Sequence, residues 1–164
     1  MTLRAATFQD IPRVAIMLHE LHAASKYHDR VGISDKAMQD VLMAAVAGQN
    51  QHGPQASFFQ LSERDGQPIG FMVGTLTRVY HVGDKLVAND LFLYVRPRAR
   101  ASHTFELIDA YVAWAKANRK VCEIALSWND ALPGAERIAD VYRRRGFAKN
   151  GELFELRTDQ GSAE

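Results

Sequence analysis

The chain has little cysteine and no long hydrophobic run. Cys122 is the only cysteine among the 164 residues, which excludes an intramolecular disulfide and suits a reducing compartment. No stretch approaches the ~18 apolar residues of a membrane span, and the N-terminus lacks the apolar segment of a signal peptide. We therefore expect a cytoplasmic protein that makes no use of a membrane.

The chain also lacks an excess of charge of either sign. It has 20 Lys and Arg residues and 19 Asp and Glu residues, for a net charge of +1. Nucleic-acid-binding proteins usually carry a strong basic excess, so this balance argues against that class. Six of the basic residues lie in two short segments, 95–105 and 142–147. This local concentration favours a small anionic ligand over nucleic acid.

No internal repeat or long linker divides the chain. Its 164 residues, of which 47% are hydrophobic, suffice for one buried core. We expect a single domain over residues 1–157, followed by a polar C-terminal tail at 158–164.

The hydrophobic pattern predicts a mixed fold. Helical periodicity is found at about 11–24, 35–47, 103–118 and 134–145. Alternation and turn signals predict strands at 2–6, 57–62, 68–80, 86–95 and 121–128, with a final hairpin over 147–157 around Asn150-Gly151. The order β-α-α-β-β-β-α-β-α-β-β predicts an α/β (α+β) protein whose mixed, mostly antiparallel sheet is flanked by helices.

Two segments carry the most chemical information. The segment Val95–Phe105 leaves an apolar strand, turns at Pro97 and enters a helix, with arginines at 96, 98 and 100. Such a turn directs backbone N–H groups at the helix N-terminus, where phosphate binds well. The segment Tyr142–Phe147 ends a helix with three arginines, a glycine and an aromatic residue. Together they predict a site for a phosphorylated cofactor with a tyrosine close by.

These segments resemble the GNAT superfamily of acyl-CoA-dependent N-acetyltransferases. Val95-x-Pro97-x-x-Arg100 is similar to the entry of that family's pyrophosphate loop, and Ala139-x-x-Tyr142-x-x-x-Gly146-Phe147 is similar to its later motif. The resemblance extends over almost the whole chain. It implies a GNAT-like fold and direct transfer of an acetyl group from acetyl-CoA, a cosubstrate, to an amine through a tetrahedral intermediate.

The resemblance also implies which residues hold acetyl-CoA. A β-bulge would splay the strand that carries Leu91–Val95 away from the next one, so that its backbone pairs with the pantetheine arm. The turn that follows would hold the pyrophosphate. The residues assigned to the cofactor in this way are Leu93, Tyr94, Val95, Arg100, Ala101, Ser102, His103, Thr104, Phe105 and Asn129.

The pyrophosphate turn departs from the family's pattern. His103 and Phe105 stand where the pattern has glycine. Glycine allows the backbone to approach the phosphates closely, and Phe105 crowds them unless its ring turns into the core. Ser102 and Thr104 can replace some contacts through their hydroxyl groups. A GNAT-like module that binds or regulates without catalysing is therefore the alternative function.

The catalytic assignments follow partly from the resemblance. It implies that Tyr142 is the general acid that protonates the departing thiolate; the alternative is that Tyr142 only packs on the sheet. Asp90 lies among apolar neighbours, where burial raises the pKa of a carboxyl group and suits it to accept a proton. A purely hydrogen-bonding role for Asp90 stays open. His19 and His22 have no evident third ligand, so no metal is expected.

The acceptor is less defined by the sequence. We expect a small-molecule or peptide amine, bound between the loop at 25–34 and the hairpin near 80–86. The run Arg143–Arg145 is either a solvated helix end or a contact to the cofactor. An exposed edge strand near the C-terminus can pair across a homodimer.

Overall fold

The computed structural model describes residues 2–156 and residue 158. Its strands are β1 (Thr2–Ala5), β2 (Ser57–Arg64), β3 (Gln67–Arg78), β4 (Leu86–Val95) and β5 (Val121–Ala125). Its helices are α1 (Ile11–Ala23), α2 (Asp35–Gly48), α3 (Ala101–Ala117) and α4 (Glu136–Arg144). The element order predicted from the sequence is confirmed as far as α4.

The strands form one sheet in the order β1-β2-β3-β4-β5. All neighbours are antiparallel except β4 and β5, which are parallel and joined through α3. The turn between β2 and β3 has positive φ angles at Asp65 (54°) and Gly66 (73°), as a two-residue hairpin turn requires. The predicted mixed and mostly antiparallel sheet is therefore confirmed.

Helices cover both faces of the sheet and divide the core in two. On one face, α1 and α2 pack with residues such as Leu42, Leu61 and Phe71. On the other face, α3 buries Leu107 and Tyr111 against residues of β2, β3 and β4. No helix in the described part of the chain combines the length and apolar character needed to cross a membrane.

The predicted terminal hairpin is wrong. Residues 147–156 form no strand, and Leu153, Phe154 and Leu156 have 86%, 87% and 89% of their surface exposed. An isolated two-stranded hairpin is marginal without an apolar face to bury, and here ion pairs hold the segment at the surface, among them Lys26–Glu155 at 2.9 Å. Residue 157 and positions 159–164 of the predicted tail lie outside the described residues.

Candidate active site

A bulge lies in the middle of β4. Phe92 pairs with Val73 and Asp90 pairs with Gly74, which leaves Leu91 as one extra residue on β4. The parallel pairing with β5 covers only Leu86–Asn89. Beyond Asn89, the partner of the last residue of β5, β4 has no strand on its β5 side among the described residues, and we call the unpaired edge of β4 there the gap.

Asp90 lies where this gap begins. Its Oδ1 accepts hydrogen bonds from the backbone N–H and the hydroxyl of Ser127, at 3.0 and 3.1 Å. Burial raises the pKa of Asp90, and the bonds from Ser127 only partly oppose that rise. A carboxylate held in this way accepts a proton more readily than one in water.

Tyr142 reaches the same place from α4. Its hydroxyl donates to the carbonyl oxygen of Ser127 at 3.1 Å, and its ring packs beside Phe147 with centroids 6.1 Å apart. Burial, followed by the negative charge of Asp90, raises the pKa of Tyr142 above the usual value of a phenol. Tyr142 therefore keeps its proton at neutral pH, so that a proton is available there for donation.

The sequence of α4 explains why Tyr142 faces inward. Ala139 and Tyr142, three residues apart, are its buried positions, while Arg143 and Arg144 are exposed. Gly146 follows the helix with a φ of 85°, a conformation that glycine adopts without strain. The N–H of Phe147 then donates to the carbonyl of Tyr142 at 3.1 Å. The segment from Ala139 to Phe147 thus ends α4 directly after Tyr142 and leaves the tyrosine on the buried side of the helix.

Ser127 joins the two candidate catalytic groups and was not predicted. Its N–H and hydroxyl bind Asp90, and its carbonyl binds Tyr142. A signal existed, because Ser127 is a polar residue that follows the carboxyl end of a strand parallel to its neighbour. In open α/β sheets, ligands bind outside such strand ends.

The turn into α3 leaves its helix N-terminus without a side-chain cap. Arg100 is the N-cap in an extended conformation (φ −71°, ψ 143°), and its side chain makes no capping hydrogen bond. Arg98 and Arg100 form no ion pair with any described residue, whereas Arg96 pairs with Glu20 at 2.7 Å. The charge at this turn thus comes from Arg98 and Arg100, and Arg96 serves to tie β4 to α1.

His103 and Phe105 do not crowd this turn. The ring of His103 points into the core, is 2% exposed, and has its Nδ1 2.7 Å from the hydroxyl oxygen of Ser62 on β2. Phe105 lies under the guanidinium of Arg145, which is 4.6 Å from the ring centroid. Because both side chains leave the helix N-terminus, the missing glycines do not close it.

Replacing His103 by Ala is expected to destabilise the protein by roughly 2 to 4 kcal/mol, because it leaves a cavity and strands the buried Ser62 hydroxyl. Urea denaturation measures this as a lower midpoint at unchanged slope. The exposed His52 supplies the matched control, and His52→Ala should change stability by less than about 0.5 kcal/mol. Equal midpoints for both variants would show that His103 does not support the fold.

The burial of His103 also makes the stability of the folded state depend on pH. Burial lowers the pKa of His103, and the charges of Arg64 and Arg100 lower it further against the opposing charge of Glu106. Folded His103 thus resists protonation, and its contribution to stability is lost as pH falls below the unfolded pKa of about 6.5. His103→Ala should lack this component of acid sensitivity.

The other residues assigned to the cofactor are spread around the gap. Leu93 and Val95 pack on the α3 side of β4. Tyr94 faces α1, and its hydroxyl lies 3.3 Å from Glu20. Asn129 is exposed, and its side-chain oxygen accepts from the N–H of Ala131 at 2.9 Å, which is a local turn contact. Ala101, Ser102 and Thr104 form the first turn of α3.

The histidines of α1 and the last arginines of α4 have local partners. His19 lies 2.8 Å from Asp35, and His22 bonds the carbonyl of Val31 at 2.7 Å. Within residues 2–156 and 158, no three His, Cys, Asp or Glu side chains gather as a metal site. Arg143 pairs with Asp140 and Arg145 with Asp109, each at 2.7 Å.

Comparison with known proteins finds matches for the fold of the chain but not for its sequence. No protein-family model and no curated protein matches the sequence. Solved structures, in contrast, match nearly the whole chain. One is AAC(6')-Iy in complex with the bisubstrate analog CoA-S-monomethyl-acetylneamine, with a TM-score of 0.68 at 18% identity, covering 95% of this chain and 96% of the other. The chain has the GNAT fold.

Two further solved structures share the GNAT fold with this chain. Ribosomal-protein-alanine N-acetyltransferase from Brucella melitensis biovar Abortus 2308 matches with a TM-score of 0.64 at 17% identity, covering 95% of this chain and 97% of that one. A transcriptional regulator from Bacillus halodurans C-125 matches with a TM-score of 0.69 at 14% identity, covering 95% and 98%. Since identities this low establish the GNAT fold alone, function rests on the site.

Proposed function

We propose that this protein is an N-acetyltransferase that moves an acetyl group from acetyl-CoA to an amine. The observation that carries the proposal is the cluster of Asp90, Ser127 and Tyr142 at the gap between β4 and β5. Both the Asp90 carboxyl, whose pKa is raised, and the Tyr142 phenol, which holds its proton, make hydrogen bonds to Ser127. A general base and a general acid with separated pKa values suit acyl transfer to an amine.

The side chains divide the proton transfers between them. Acetyl-CoA, when bound, supplies a thioester whose carbonyl carbon forms a bond to the amine nitrogen and whose carbon–sulfur bond breaks. Asp90 takes the proton that the amine loses, directly or through water. Tyr142 gives its proton to the departing sulfur. Ser127 acts as a positioning residue because its backbone and hydroxyl fix the direction of both groups.

The surroundings of this cluster fit an acyl-CoA. The edge of β4 beyond Asn89 offers backbone groups to the amides of a pantetheine arm, in the way that a strand pairs with a peptide. The uncapped N-terminus of α3, with Arg98 and Arg100 beside it, suits the pyrophosphate. The CoA-linked analog bound to AAC(6')-Iy supports this donor and a small-molecule amine as acceptor.

Binding of the donor is tested by thermal unfolding with acetyl-CoA. At ~100 times its dissociation constant, a ligand that binds only the folded state stabilises it by roughly 2.7 kcal/mol. Arg100→Ala should reduce this shift, and raised salt should reduce it in the wild type. Arg119, exposed just beyond the other end of α3, provides the control variant Arg119→Ala. A melting curve that millimolar acetyl-CoA does not move would contradict the proposal.

A non-catalytic binding module is the second candidate. It is favoured by the similarity in fold to a transcriptional regulator. The two functions separate in an assay of CoA thiol release. Acetyl-CoA that binds but releases no thiol with any amine would favour the module, whereas amine-dependent release favours the enzyme.

A further inference from the structure

Arg145, at the end of α4, contacts two side chains of α3. Its guanidinium carbon lies over the Phe105 ring, 4.6 Å from the ring centroid. Its Nε and Nη2 donate to the two carboxylate oxygens of Asp109, at 2.7 and 3.2 Å. Phe105 and Asp109 are four residues apart and are therefore neighbours on one face of α3. The ion pair thus holds the guanidinium over that face, where it packs on the ring.

The end of α4 fixes Arg145 in its turn. Arg145 is the C-cap of α4, and its backbone N–H donates to the carbonyl of Tyr142 at 3.0 Å. The side chain of Arg145 is 21% exposed, whereas that of Arg143 is 63% exposed. The two arginines differ because Arg145 pairs with a residue of α3 and Arg143 pairs with Asp140 of its own helix. The helix end that follows Tyr142 is therefore tied to α3 through Arg145.

Phe105 lies one helical turn from the start of α3. A helical side chain leans toward the N-terminus of its helix and covers the turn before its own Cα. For Phe105, that turn contains Ala101 and Ser102. The first N–H groups of a helix have no partner within the helix, and a phosphate placed there binds them. A ring that leans over this turn would therefore occupy the place that the proposed function gives to the pyrophosphate.

We propose that Arg145 is a positioning residue for the acyl donor: it holds the Phe105 ring off the first turn of α3 and so keeps the pyrophosphate position open. This rests on the proposed acetyl transfer and specifies how its donor turn tolerates a bulky aromatic side chain. The guanidinium attracts the face of the ring, and the carboxylate of Asp109 keeps the guanidinium in place. Arg145 acts through Phe105, which distinguishes it from a residue that binds the donor with its own charge.

The first experiment locates the ring without any ligand. An aromatic ring shifts the NMR signals of nuclei next to its face, so the backbone amide signals of Ala101 and Ser102 report whether the ring covers them. Arg145→Ala should move both signals, and the same substitution in a Phe105→Ala background should move neither. Signals that stay in place in Arg145→Ala would overturn the proposal.

Two further variants complete this experiment. Arg143→Ala removes the ion pair with Asp140 at the same end of α4, and Arg143 has no ring contact among the described residues. It should leave the Ala101 signal in place. Arg145→Gln removes the cation but keeps a hydrogen-bond donor for Asp109. It should move the same signals as Arg145→Ala, and it tests the proposal even where Arg145→Ala does not fold.

The second experiment measures the affinity for CoA by calorimetric titration. When the cation–π contact is lost, the ring covers the turn for part of the time, and the apparent dissociation constant rises as the open fraction falls. Arg145→Ala should therefore weaken binding by roughly fivefold, a typical effect of one such contact. A Phe105→Ala background has no ring to hold, so the same substitution should weaken binding there by less than about twofold. An equal loss in both backgrounds would show that Arg145 acts by its own charge, which contradicts the proposal.

The outcomes distinguish this inference from the proposed function. If the wild type binds CoA and amines release thiol, but the loss is equal in both backgrounds or the Ala101 signal does not move in Arg145→Ala, only the role of Arg145 is wrong. If CoA does not bind the wild type, the proposed function fails, and the amide signals recorded without ligand still decide whether Arg145 holds the ring off the helix start.

Discussion

Tyr142→Phe is expected to lower turnover by on the order of 10² or more while leaving the affinity for acetyl-CoA nearly unchanged. The ring stays in place beside Phe147, so the packing of α4 survives. Only the hydroxyl is lost, which is the proposed proton donor and the partner of the Ser127 carbonyl. Steady-state kinetics with a good acceptor, together with calorimetric titration of acetyl-CoA, measures both quantities.

Tyr111 provides the matched control for that variant. It is also a buried tyrosine, and its hydroxyl donates to the carbonyl of Ala125 at 3.3 Å. Tyr111→Phe should cost about 1 kcal/mol of stability, as lost hydrogen bonds usually do, and should change turnover only a few-fold. If Tyr142→Phe behaves like Tyr111→Phe, then Tyr142 supports the structure and takes no part in the reaction.

Asp90→Asn is expected to remove the acidic limb of the pH–rate profile. In the wild type the rate falls as pH drops through the raised pKa of Asp90, because the base becomes protonated. Asn accepts no proton at any pH, so the loss should reach about 10²-fold on the plateau above that pKa and shrink below it. An identical profile in the variant would assign the base to water or to another group.

The same variant should not lose stability at neutral pH. Since folding raises the pKa of Asp90, the ionised carboxylate weakens the folded state as pH rises from the unfolded pKa of about 3.9 through the raised value. Asn removes that charge and keeps an oxygen for the Ser127 N–H. Equal or higher thermal stability with lower activity is the expected result, and Asp84→Asn, at an exposed turn, is the control.

Local sequence signals predicted most of the fold. The bounds of β4, Leu86–Val95, and the position of the β2–β3 turn agree with the structure, because alternation and Asp-Gly turn chemistry act over a few residues. The inward position of Tyr142 also follows from local spacing. The terminal hairpin failed because a turn signal at Asn150-Gly151 says nothing about whether its flanks find a surface to pack on.

The site itself was only partly predictable. The sequence indicated Asp90 and Tyr142 separately. Their link through Ser127 joins β4, the segment after β5 and α4, which are distant in sequence. The ring of His103 was expected near phosphate, whereas it bonds Ser62 of β2 in the core. A loop pattern specifies which residues are near the helix start, but the packing of α3 on the sheet decides which way their side chains point.

The sequence alone determined the element order as far as α4, the turn into α3 and the choice of Asp90 and Tyr142 as candidates, because each depends on neighbours within one or two helical turns or a strand's length. The tertiary structure alone decided two other features: the end of the β4–β5 pairing at Asn89, and the contact of Ser127 with Asp90 and Tyr142. These features arise where chain segments far apart in sequence meet. The burial that raises the pKa values of Asp90 and Tyr142 exists only once the sheet and helices have assembled.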